Sequence, residues 1–386
     1  MSALYITSTE RHTGKNLLTI GLIDRLRRDG FKVGYFKPLG HFPVKVDNVV
    51  TDRAAWLTHS LFQLEDPLEL VCPVVITRDL IMQNFEKDIT GLEKKIKGAF
   101  EKISEQKDVV VVGSDNSFSE GSSLGVSGIR LIKLLNAYAL FMERYACDVS
   151  IDALVELKNV IGDPMIGVVF NRVKPVDLEE IKELVSPFLN RKHMGHYGSV
   201  PEDTLLGSIG INDLATHLSA DVVCGKDKLD RLVENFLVGG MQVDKFISYV
   251  LKRPSAGIIV GGDRTDIQLV AIENAVRCLV LSGNLYPNDT IIARAEAKGV
   301  PILVTRDDTY TVAKNVEAIV GQLKLEKREK MDHGMNLVDQ IFDFEKLYER
   351  LSLVDLVKSH QEDGKVKSSR CKARTSSKAA RRNLEE

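Results

Sequence analysis

Gly14-Lys15-Asn16 closes a short polar stretch, Ser8-Thr9-Glu10-Arg11-His12-Thr13, whose residue types suit the capture of a phosphate. A glycine lets backbone approach an anion closely, and a helix N-terminus adds unpaired N–H groups and partial positive charge. A lysine there puts a full charge on the terminal phosphates. Thr9, Glu10, Arg11, His12, Thr13, Gly14, Lys15 and Asn16 are therefore the expected nucleotide- or phosphate-binding residues. The residue after such a lysine usually carries a hydroxyl that binds magnesium. Asn16 offers a neutral amide oxygen instead, on a larger group whose orientation must be fixed. A second lysine, Lys37, precedes Pro38 at the end of the apolar run Val33–Phe36. Lys15 and Lys37 are the candidate catalytic groups. The residues leave open whether the loop turns over its ligand, only binds it, or is a structural relic.

A second constellation lies in the C-terminal half. Gly261-Gly262-Asp263-Arg264-Thr265-Asp266 follows the apolar run Ala256–Val260. Ser282-Gly283-Asn284 and Asp307-Asp308-Thr309 follow the next two apolar runs. α/β folds place ligands at the carboxyl edge of the sheet, so Gly262, Asp263, Arg264, Thr265, Asp266, Gly283, Asp308 and Thr309 should converge. They suit a small-ligand pocket, or equally helix caps and pairs across a homodimer interface. His12, His41, His193 and His196 show no metal spacing, and Ser117–Ser123 has no nearby base, so it reads as a flexible loop. Trp56 reads as core.

The elements that position these residues alternate. Apolar runs at Ala3–Ile6, Val33–Phe36, Val109–Val112, Ala137–Phe141 and Ile166–Phe170 predict strands. Helical spacing over Asp47–Gln63, Ile89–Glu105, Val149–Val160 and Leu178–Phe188 predicts the helices between and after them. Four consecutive valines, Val109 to Val112, suit a strand buried on both faces, as in a parallel sheet. The fold class expected is α/β: a P-loop-type, doubly wound parallel sheet followed by a smaller α/β domain. The expected boundaries are 1–219 for the first domain, 220–238 for a helical connector, 239–355 for the second domain and 356–386 for a disordered basic tail. From Gly364 that tail holds eight Lys/Arg against two Glu and almost no large apolar residue.

Composition excludes several classes. The apolar fraction is 44%, the charged fraction 27% and the net charge −2, which fits a globular protein with no polyanion-binding signature. No apolar run reaches the roughly 18–20 residues of a membrane span, and no cleavable signal precedes the first strand. Five widely spaced cysteines without a CxxC argue against zinc and disulfide frameworks. A cytoplasmic protein with no membrane and no specific nucleic-acid partner is expected.

Thr7-Ser8-Thr9-Glu10 through Gly14-Lys15, then Gly34-Tyr35-Phe36-Lys37-Pro38 and Gly167-Val168-Val169-Phe170-Asn171-Arg172, resemble dethiobiotin synthetase. The chain resembles more closely the N-terminal domain of long phosphotransacetylases, and Gly262-Asp263-Arg264-Thr265-Asp266 resembles the DRTGG domain that follows it there. The resemblance spans about residues 1–355 and stops before the catalytic acetyltransferase domain, as in a stand-alone regulatory half. It implies ATP or ADP as ligand and magnesium as a companion ion. It further implies Asn171 at the adenine edge, Pro201 and Glu202 beside the base, and Lys37 near a substrate carboxylate and the transferred phosphate. By the same resemblance Asp52 falls near an acidic position after the second strand that helps hold magnesium. The second such acid is replaced by Gly113-Ser114, with Asp115 as a substitute. With Asn16 also altered, binding is expected to outlast turnover, because phosphoryl transfer depends almost wholly on positioning and electrostatics. The function expected is a nucleotide-binding regulatory protein that is a homodimer or higher oligomer through the DRTGG domain, with an acyl-phosphate or acyl-CoA enzyme as a further partner. The alternative is an ATP-dependent, carboxylate-activating ligase.

Overall fold

The computed structural model describes residues 1–320 and 327–357. The part of the expected basic tail beyond 357 lies outside them. The chain divides into two compact units, one formed by Met1–Glu202 with the chain from Met331 on, the other by Asp203–Lys330.

In the first unit, the opening apolar run forms β1 (Ser2–Thr7), buried from Ala3 onward. β2 (Val33–Phe36), β3 (Val109–Val112), β4 (Tyr138–Arg144), β5 (Met165–Val173) and β6 (Gly195–Pro201) join it in one sheet, in the order β6-β5-β4-β1-β3-β2. Every pairing is parallel. All four valines of β3 are fully buried, as the uninterrupted apolar run requires. β1 lies in the middle, so the loop that follows it reaches the carboxyl edge flanked by the ends of β3 and β4. α1 (Lys15–Arg28) continues from that loop and buries Leu17, Leu18, Ile20, Leu22, Ile23 and Leu26.

Two expectations change here. The helix expected from Asp47 starts only at Arg53. Residues Pro43–Val46 and Val49–Asp52 pair as an antiparallel hairpin, turned by Asp47 and Asn48 at φ +44° and +69°. Two residues of this type at positive φ favour a tight hairpin over a helix start. α2 (Arg53–Phe62) is then capped by Asp52, whose carboxylate accepts from the Ala54 and Ala55 N–H groups. β6 was unforeseen as a strand, since Gly195 and Gly198 dilute its apolar pattern. α3 (Leu92–Ser104) forms where helical spacing placed it, burying Ile96, Ala99, Phe100 and Ile103.

In the second unit the sheet order is β7-β11-β10-β9-β8, from β7 (Asp221–Cys224), β8 (Asn235–Val238), β9 (Ala256–Gly261), β10 (Cys278–Ser282) and β11 (Ile302–Val304). β7 is antiparallel to β11 and the other pairings are parallel. The helical connector expected over 220–238 is therefore replaced by strands. Its apolar runs are too short for a helical face, and Gly225-Lys226-Asp227-Lys228 separates them, so both sheet edges take them up. α4 (Thr265–Glu273), α5 (Asp289–Lys298) and α6 (Thr309–Val320) alternate with the strands.

The second domain was expected to run to 355, but the chain returns to the first unit at Met331. Along α7 (Arg328–Ile341), Asp339 pairs with Arg25 at 2.7 Å. The Asp343 N–H donates to Tyr197 O at 2.8 Å, and α8 (Phe344–Arg350) brings the Tyr348 hydroxyl to Asp29. α1 and α7 touch through Gly21, where an added Cβ would lie 2.6 Å from Val338 Cβ and 2.7 and 2.9 Å from its methyls. Gly21→Ala is expected to lose about 1–3 kcal/mol, the usual range for overpacking. Alanine at 338 would keep the Cβ at 2.6 Å, so Val338→Gly is the matching variant: in that background Gly21→Ala should cost much less than it does alone, read by urea denaturation, and additive losses would show that this contact is not the cause.

Candidate functional site

The loop from Ser8 to Gly14 is held from several sides. Gly14 sits at φ +105°, and an added Cβ there would lie 2.3 Å from the Asn171 amide nitrogen. That amide, on β5, donates to Thr13 O at 2.6 Å, and its oxygen accepts from the Arg172 N–H at 2.9 Å. The Phe118 N–H donates to Ser8 O at 2.8 Å, and Arg144 donates to His12 O at 3.0 Å. No side chain caps α1 and no acid stands in its first turn, so its N-terminal dipole faces the loop uncompensated.

Lys15 is 3% exposed. Its ammonium donates to Ser8 Oγ at 2.6 Å and to Glu10 O at 3.3 Å, both neutral acceptors. Burial lowers its pKa to about 8, although Glu143, Glu120 and Asp115 pull the other way. Glu143 ends β4. Its carboxylate accepts from the Thr9 N–H at 2.5 Å and from the Thr9 hydroxyl at 2.7 Å. Burial pushes that carboxyl up to about 7 against the two Thr9 hydrogen bonds. Its only sequence signal is a lone acid at the carboxyl end of an apolar strand, and sequence reasoning missed it.

A second cluster surrounds Lys37. Its ammonium lies 2.5 Å from Asp52 Oδ1 and 2.6 Å from Asp115 Oδ1, with all three side chains at most 5% exposed. Burial works to discharge Lys37, but Asp115 and Asp52 outweigh it and hold the ammonium above its ordinary range. Burial acts on Asp52 too, yet Lys37 and the backbone N–H groups hold it below the usual range. Asp115 is raised, by burial first and then by Asp52 and Glu120 despite Lys37. Glu120 accepts from the Asp115 and Asn116 N–H groups at 3.2 and 3.0 Å and lies 2.6 Å from His41 Nε2.

These contacts revise several expected roles. Asn171 is buried beneath the loop with both ends of its amide engaged, so it supports the loop and does not present an edge to a base. Asp52 accepts from Lys37, Ala54 and Ala55 at one oxygen and from the His41 and Phe42 N–H groups at the other. It is a saturated helix cap and has no capacity left for magnesium. Asp115 keeps one buried oxygen, Oδ2, without a partner, and Asn16 is exposed. Among the described residues no group of three metal-ligating side chains comes together. Lys37 gives two of its three N–H donors to Asp52 and Asp115. Pro201 and Glu202 do reach the carboxyl edge, where the Glu202 N–H donates to Val173 O at 3.0 Å.

In the second unit hydrogen bonds join the three polar turns. The Gly262 N–H donates to Ser282 O at 3.2 Å and the Gly283 N–H to Asp307 O at 2.8 Å. Ser282 and Thr309 share a hydroxyl bond of 2.6 Å. Arg264 is engaged locally, donating to both Asp266 oxygens at 2.9 Å and to Met241 O at 3.3 Å. Asp308 accepts from the Tyr310 and Thr311 N–H groups at 2.9 and 3.1 Å, as a helix cap does. Gln268, 1% exposed, donates to Gly262 O at 3.0 Å while its own oxygen is unpartnered.

Comparison with known proteins gives this geometry a context. A family profile described as AAA domain matches residues 2–215, and one described as DRTGG domain matches residues 213–319. The chain is similar to a phosphate acetyltransferase of Synechocystis, with 23% identity over 369 residues that cover 92% of this chain and 52% of that one. It spans about half the length of the curated relatives it matches. One similar solved structure holds the CBS and DRTGG domains of the regulatory region of Clostridium perfringens pyrophosphatase complexed with diadenosine tetraphosphate. There the TM-score is 0.27 at 21% identity, covering 32% of this chain and 50% of that one. Another is the MinD cell division protein of Aquifex aeolicus, with a TM-score of 0.34 at 20% identity, covering 53% and 84%. Among the described residues no helix is long and apolar enough to cross a membrane.

Proposed function

The chain belongs to the AAA domain family, in the dethiobiotin synthetase-like P-loop form followed by a DRTGG domain and related to phosphate acetyltransferase, and from that premise we propose that it is a nucleotide-binding regulatory protein. The reading rests above all on Lys15, a buried ammonium held by neutral oxygens beside the uncapped N-terminus of α1. Such an arrangement gives up little when it exchanges a hydroxyl and a carbonyl for a phosphate. ATP or ADP is the proposed ligand. Magnesium contributes weakly, because Asp52 is saturated and Asn16 replaces the hydroxyl. The pairing of Lys37 with two buried carboxylates, which already balance its charge, speaks against a carboxylate-activating ligase.

The DRTGG domain is the proposed sensing or dimerising element, and an acyl-phosphate or acyl-CoA enzyme the proposed partner. Lys15→Ala is expected to weaken ATP or ADP binding by about 10- to 100-fold, the worth of one charge-assisted hydrogen bond. Isothermal titration with and without magnesium reads this. Undetectable binding of the unaltered protein at millimolar nucleotide would sink the proposal.

A further inference from the structure

Glu143, tied to Thr9, and Lys15, tied to Ser8, are opposite buried charges held by adjacent residues of one loop, and neither has a charged hydrogen-bond partner. The Glu143 carboxylate, 2% exposed, is held by the Thr9 N–H and hydroxyl. The Lys15 ammonium is held by Ser8 Oγ and Glu10 O. Among the described residues neither forms an ion pair within 4.0 Å. Of the charges acting on Glu143, Lys15 on α1 favours the carboxylate and Glu10 in the loop opposes it. Asp115 and Glu120, after β3, act on the same Lys15. Arg144, next along β4, is turned to His12 O.

We propose that Glu143 is the proton-linked residue of the phosphate loop: an anion seated at Gly14, Lys15 and the α1 N-terminus drives a proton from solvent onto the Glu143 carboxylate. This rests on the anion-binding reading of the loop. The anion draws the Lys15 charge to itself and brings a like charge towards Glu143, and both changes favour the neutral acid. The carboxyl already sits at about 7 without ligand, so a small push makes it protonated at neutral pH. No covalent step is involved. The neutral acid keeps the Thr9 N–H as a donor to one oxygen, and its own O–H can donate to the Thr9 hydroxyl, so the loop stays tied to β4 in both states.

The test is isothermal titration of the full chain with magnesium-free ATP, and separately tripolyphosphate, in buffers of different ionisation enthalpy. After correction for the ligand's own protonation, the unaltered protein should take up about half to one proton per anion near pH 7.5. Glu143→Gln should take up none and bind about tenfold more tightly at pH 8. Equal uptake in both proteins overturns the proposal. Tripolyphosphate binding with proton uptake, but no ATP binding, would overturn the nucleotide reading and leave this one standing. A carboxyl-13C NMR titration of the free protein is independent of any ligand. A resonance missing in Glu143→Gln should titrate between about pH 6 and 8, and titration below about pH 5 overturns the proposal. If Glu143→Gln does not fold, Thr9→Val identifies the same resonance by moving it upward, since it removes a hydrogen bond to the carboxylate. No movement counts against Glu143.

Discussion

Lys37→Met is expected to destabilise the protein by about 3–5 kcal/mol at pH 8, the cost of leaving a buried charge without its partner. Lys37 is 1% exposed and lies between Asp52 and Asp115, which are as deeply buried. Methionine fills most of the volume, so the loss is electrostatic and not a cavity. Its pH dependence identifies the cause. Asp115 is raised by burial even with Lys37 present and would rise further without it. A folded-state carboxyl above its unfolded value binds more protons in the folded state, so stability falls as pH rises through that range and returns as pH falls. The variant should therefore regain part of its stability as pH is lowered from 8. Asp52 in the unaltered protein works the other way. It is held below the usual range, and that stability is lost only as pH falls through the lowered value. Urea unfolding at several pH values separates the two. A pH-independent loss would place the damage in packing.

Gly14→Ala is expected to remove most anion binding while leaving the sheet intact. At φ +105° and ψ 13°, Gly14 lies outside the small left-handed well open to other residues. An alanine there costs about 1–2 kcal/mol in backbone strain alone. Its Cβ would also meet the Asn171 amide at 2.3 Å and Met142 Cε at 3.1 Å. Asn171 must then release Thr13 O, and the loop loses its floor just where α1 begins. A fall in ATP affinity of about 100-fold or more is expected from the strain and the lost alignment together. It should appear by calorimetry with the far-UV circular dichroism unchanged. Asn171→Ala frees space for the alanine, so Gly14→Ala combined with Asn171→Ala should fold better than Gly14→Ala alone. Unchanged affinity in Gly14→Ala would mean that the anion does not sit at this turn.

The sheet of the first unit was legible because its strands are continuous apolar runs. Val109–Val112 and Ala3–Ile6 admit no amphipathic alternative, and the lengths between them fit crossovers. Lys15 and Gly14 were legible because their chemistry follows from local order: strand, turn, glycine, lysine, helix. Three things were not. Glu143 comes to Thr9 through the parallel pairing of β1 with β4, a contact across 134 residues that no local pattern encodes. Asp52 reads in sequence as one more acid after a strand; only the hairpin before it turns the carboxylate back onto four N–H groups and Lys37. The strands at 221–238 were mistaken for a helix because their short apolar pieces gain order only as edges of a sheet whose centre is encoded later.

Gly21 and Arg25 receive Val338 and Asp339, and the Arg25–Asp339 pair joins residues 314 apart. The whole of the second unit is thus spliced into the first, between Glu202 and Met331. During synthesis the first unit cannot close when its sixth strand leaves the ribosome. Val338 and Tyr348 have yet to be made, and the apolar side of α1 beside Gly21 stays wet until a complete second unit has passed through the exit tunnel. Long-range closure of this kind is slow and leaves surface open to aggregation. For anyone cutting the gene, the boundary that looks natural near residue 219 removes a wall of the first unit.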